Sequence, residues 1–169
     1  MRFARDNRGV SLVEVMTVVA ILGVLVVILG FSFQGWLAKY RVEEETKRLH
    51  ADLSDARARA MQKKRMTFVD LATRQYRTFE DTTTAPDGNG IFEPGADTRI
   101  TDTTTRYDIV PALNPAGTQF AFDRDGMATA TGTIRLISTF SPDYDCITIQ
   151  TTRLRIGRFD DATSTCQEK

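Results

Sequence analysis

A single carboxylate, Glu14, interrupts an apolar run that reads VSLVEVMTVVAILGVLVVILGFSF over residues 10–33. An ionisable group inside hydrocarbon costs about 2.5–3.5 kcal/mol on insertion scales, so a retained carboxylate needs a cationic partner. The alternative is that Glu14 lies close enough to the cytoplasmic surface to reach the headgroups. Two cysteines, Cys146 and Cys166, stand near the C-terminus without a CxxC spacing, which argues against redox chemistry. In an oxidising compartment they form a disulfide closing a loop of about 20 residues, a contribution of about 3 kcal/mol on the chain-entropy model. Two free thiols in a reducing cytosol are the other reading.

The remaining polar groups offer less. Residues 80–105, EDTTTAPDGNGIFEPGADTRITDTTT, read as a polar loop too long for a simple connection. Within it Asp87, Asn89, the carbonyl of Ile91, Glu93 and Asp97 present oxygens at alternating spacing, as a calcium loop does. The glycines, however, are Gly88 and Gly90, and no late bidentate glutamate closes the set. A flexible acidic insertion with no cofactor is the competing expectation. His50, the only histidine, has no partner at ligand spacing and reads as a surface or boundary residue. With no nucleophile elbow, no glycine-rich phosphate loop and no histidine beside a Ser or Cys nucleophile, an enzyme is not expected. Arg153, Arg155 and Arg158 could form a basic patch, but 22 Lys and Arg balance 22 Asp and Glu, so no broad basic field attracts nucleic acid.

The elements that must position these groups follow from patterning. Residues 1–9, MRFARDNRG, carry Arg2, Arg5 and Arg8 against Asp6, which keeps them cytoplasmic by the positive-inside rule. Residues 15–33 are uncharged, and a helix of that length spans about 30 Å. The run exceeds a signal-peptide core and ends in Trp36, Lys39, Tyr40 and Arg41, an interfacial signature. A membrane-spanning helix over 10–35 is expected, continuing as an amphipathic helix over 36–65. There Val42, Thr46, Leu49, Leu53, Ala56 and Ala60 recur at spacings of three and four, marking one buried face, with charges of both signs between them.

From residue 66 to 169 the pattern is that of a β-rich head. Short strands are expected at 66–71, 75–79, 106–110, 119–122, 133–137, 146–150 and 154–156, with turn chemistry at Asp125-Gly126 and Asn114-Pro115. The chain length fits one such domain.

Arg8-Gly9-Val10-Ser11-Leu12-Val13-Glu14-Val15-Met16 resembles the class III signal of type IV prepilins and type II secretion pseudopilins. The resemblance implies that prepilin peptidase removes the leader 1–9 between Gly9 and Val10 and methylates the new amine of Val10. It further implies that Glu14 pairs with the N-terminal amine of a neighbouring subunit. FAFDRDG at 120–126, GTIRL at 132–136 and LRIGR at 154–158 resemble the head of the GspH/FimT-like minor pseudopilins.

What the resemblance implies is the α+β pilin fold, a long N-terminal helix packed on a small antiparallel β-sheet head. The implied role is a structural minor subunit of a type II secretion pseudopilus or a type IV pilus, single-pass in the bacterial inner membrane with its head in the periplasm. Implied partners are prepilin peptidase, other pilins or pseudopilins through the helix, and the inner-membrane assembly platform. The alternative is a FimT-like minor pilin that binds DNA for natural transformation. That group carries a basic GRxR-type motif; here Gly157 and Arg158 match, but Phe159-Asp160-Asp161 follow and the second arginine is missing.

Overall fold

The structure, a computed structural model, describes residues 11–83 and 88–169, with backbone only for 28–34. Helix α1 (Leu12–Lys63) comes first at 52 residues. Among the described residues nine strands follow: β1 (Thr67–Ala72), β2 (Gln75–Glu80), β3 (Thr98–Thr104), β4 (Asp108–Asn114), β5 (Gln119–Phe122), β6 (Thr131–Ile137), β7 (Cys146–Gln150), β8 (Arg153–Asp160) and β9 (Thr165–Glu168). The chain divides into two units, Met1–Ala38 and Lys39–Lys169.

In the first unit α1 begins where the Ser11 carbonyl accepts the amides of Glu14 and Val15, at 3.0 and 3.1 Å. The side chains of residues 12–27 are exposed, and nearly all are apolar. Such a surface has no stable place in water.

In the second unit the six residues of the periodic stripe, Val42, Thr46, Leu49, Leu53, Ala56 and Ala60, are all at most 2% exposed. The Thr46 hydroxyl donates to the Val42 carbonyl at 2.8 Å, which is how a buried hydroxyl on a helix satisfies itself. On the solvated side Glu43 pairs with Lys47 (3.7 Å) and Asp55 with Arg59 (2.6 Å), each one helical turn apart.

Two antiparallel sheets receive that stripe, in the orders β3-β2-β1-β5 and β4-β6-β7-β8-β9. Strand alternation does the sorting. In β7, Ile147 and Ile149 are in the helix-side core, with Ile134 and Leu136 of β6 beside them. In β1, Val69 and Leu71 join that core, whereas Phe68 lies in a second cluster with Phe79 and Ala121. Phe92 covers that second cluster, its ring 5.4 Å from Phe68 and 5.1 Å from Phe79.

The expected loop over 80–105 differs from what forms. Thr98–Thr104 is strand β3, paired with β2 from end to end apart from a bulge at Ile100. As an edge strand rich in threonine it is polar on both faces, so it shows no hydrophobic alternation, yet its β-branched residues suit the pleat. Ahead of it the chain is tied down. The Asp81 carboxylate accepts the amides of Asn89 (3.1 Å) and Gly90 (2.7 Å), while Asp97 accepts the Glu93 amide (2.8 Å) and the Thr83 hydroxyl (3.0 Å). Strand β9 was also not expected. β4 runs through Pro111 to Asn114, which an edge strand tolerates because the missing donor is not owed to a neighbour.

Candidate functional site

Glu14 stands in the first turn of α1, exposed, three residues after the serine whose carbonyl starts the helix. An acid there is favoured by the helix dipole. Among the described residues its carboxylate has no hydrogen-bond or ion-pair partner. Thr17, one turn on, is turned inward on the backbone, donating to the carbonyls of Val13 (2.8 Å) and Glu14 (2.9 Å). That leaves Glu14 as the one charge on an otherwise apolar surface over residues 12–27.

Gly9 and Val10 lie outside the described residues. Among the described residues no helix is long and apolar enough to cross a membrane. The expected span of 10–35 is described at the side-chain level only for 11–27 and 35.

The second unit fixes α1 to the sheets at its C-terminal end. Glu80, 5% exposed, takes Lys63 at 2.5 Å and Arg65 at 3.3 Å, and Lys64 between them adopts φ +54° to turn the chain. Lys63 and Arg65 thus clamp a buried carboxylate, while Lys64 turns away to Asp125 at 3.2 Å. Midway along, the Tyr76 hydroxyl donates to Asp52 at 2.5 Å. Burial, and then that bond, push the Tyr76 hydroxyl well above the usual phenol value.

Cys146 and Cys166 are bonded, joining β7 to β9 on either side of β8. Between them Gly157 admits no side chain, since a Cβ would run into the Gln167 carbonyl and come within 3.1 Å of the Cys166 sulfur. The bond ties β9 to β7 across β8, as expected of an oxidising compartment.

The arginines of β8 do not form one patch. Its register against β7 and β9 is unbroken, so Arg153 and Arg155 share one face and Arg158 points to the other. Arg155 is further spent on an ion pair with Glu168. Of the oxygen set in the loop, Asp87 is outside the described residues. Asn89 donates to Glu93 (3.0 Å) and accepts the Ile91 amide (2.9 Å), and Asp97 is engaged as above. Among the described residues no group of three or more candidate ligands is placed to hold a metal. His50 is half-buried beside Leu154 and Ile156.

The description "Prokaryotic N-terminal methylation motif" matches residues 4–30, and "Type II transport protein GspH" matches residues 45–153, over half of the chain. Among solved structures, the minor pseudopilin EpsH from the Type 2 Secretion System of Vibrio cholerae is similar in fold. The likeness covers 70% of this chain and 97% of that one, with a TM-score of 0.50 at 15% identity. Comparison with curated proteins finds no match.

Proposed function

Since the chain belongs to the GspH family of type II transport proteins and is a minor pseudopilin of type II secretion, we propose that its exposed Glu14 is the contact through which it enters the pseudopilus. The observation that carries this is a carboxylate on an apolar helix surface with no partner among the described residues. In lipid that charge is costly, and the freed ammonium of a neighbouring subunit relieves it. In this reading prepilin peptidase cuts after Gly9 and methylates Val10. Residues 10–35 anchor the chain in the inner membrane, and the head lies in the periplasm, where its disulfide persists. Other pseudopilins pack against the helix, and the inner-membrane platform feeds the subunit into the fibre.

The role is structural and not catalytic. DNA capture is not favoured: Arg158 is turned away from Arg153 and Arg155, and Glu168 neutralises one of the two that remain together. Intact-mass measurement of the protein from native membranes tests the processing step. A chain lacking residues 1–9 and carrying one methyl group is expected; a chain that keeps its leader contradicts it.

A further inference from the structure

Several arginines of the head meet a carboxylate: Arg74 with Asp108 and Arg77 with Asp70, both at 2.5 Å, and Arg135 with Asp161 at 2.6 Å. Of the arginines that do not, three line one cavity. Arg41 and Arg48 extend from α1 and Arg106 from the turn between β3 and β4, around about 440 Å³ of mainly polar space that Thr104 also lines. All three are exposed and have no acidic partner among the described residues. Arg41 and Arg48 are seven residues apart, two helical turns, so they share a face and stand about 10 Å apart along the axis.

Two acids line the same cavity, Glu44 and Glu45. Glu45 is committed, because its carboxylate accepts the Arg106 amide at 3.0 Å and so fixes the turn that presents the Arg106 side chain. Glu44 is the remaining opposing charge. A protein partner wants an apolar centre with a polar rim, which this concavity lacks. Three guanidinium groups against two carboxylates, one of them held by a backbone amide, leave the cavity with an excess of positive charge that suits phosphate oxygens, which arginine binds in paired, charge-assisted hydrogen bonds.

We propose that this cavity binds a phosphate group, carried by a lipid headgroup or by a soluble phosphoester, with Arg41, Arg48 and Arg106 as its donors and Glu44 restraining its affinity. The test uses the full chain, labelled with nitrogen-15, in non-ionic detergent micelles at fixed ionic strength. One arm adds inorganic phosphate and the other dopes the micelles with phosphatidylglycerol, with chloride as the control. Saturable shifts of the Thr105 and Arg106 amides are expected. Arg106→Gln should weaken binding roughly tenfold, the weight of one charge-assisted hydrogen bond. Glu44→Gln should tighten it, an effect opposite in sign that a merely structural role would not produce, and Arg153→Gln should leave it unchanged. Saturation in the lipid arm alone assigns a headgroup, and saturation in both arms assigns a soluble phosphoester. Absence of saturable shifts in both arms, or binding by Arg41→Gln and Arg106→Gln as tight as that of the unaltered protein, overturns the proposal.

Discussion

Glu14 and Glu80 are two carboxylates with opposite solutions to the same difficulty. Glu80 is buried and takes two cations from its own chain, whereas Glu14 faces outward with none among the described residues. Removing one partner of a buried pair leaves a charge stranded, so Glu80→Ala should also release the basic residues that end α1. Tyr76 carries a pH signature. Its folded pKa is raised above the ordinary value near 10, so its contribution to stability is complete below pH 10 and is lost as pH rises beyond it. Denaturant unfolding from pH 9 to 12 should show stability falling above pH 10, and Tyr76→Phe should flatten that fall. The disulfide belongs to this scale as well. Cys146→Ser with Cys166→Ser should lower unfolding free energy by about 3 kcal/mol for a loop of this length, read from denaturant midpoints. Gly157→Ala should destabilise the head by steric conflict with the Gln167 carbonyl, seen as a lower melting temperature.

The buried stripe of α1 was legible because three- and four-residue spacing of apolar positions has one physical reading, and all six positions are buried. Truncating one of them, Leu53→Ala, should cost about 2–5 kcal/mol, since the sheets on either side cannot collapse into the space. A cost below 1 kcal/mol would mean the helix is not packed there. Strands β5 and β7 were legible to the residue for a related reason, being short apolar runs bounded by turn residues. β3 and β9 were not. Both are edge strands and mostly polar, so little in their hydropathy separates them from a loop. The Asp125-Gly126 turn was legible, with Gly126 at φ +76° and Asp123 accepting the amides of Asp125 and Met127. Arg158 shows the limit of residue lists: three arginines within six positions read as a patch until strand alternation sends one to the opposite face.

Taken whole, the molecule joins an apolar helical surface, which water does not accommodate, to a head that is stable by its own core and disulfide. That division suits a fibre subunit. The membership in the GspH family rests on the head and the second half of the helix, while Glu14 lies ahead of that region in the methylation motif. The two parts can be separated by experiment. In cells lacking the native gene, Glu14→Gln should be produced and folded, with the disulfide formed, yet fail to restore secretion of type II substrates and fail to co-purify with other pseudopilins. Secretion and co-purification at the level of the unaltered protein would contradict the assignment of Glu14 as the assembly contact.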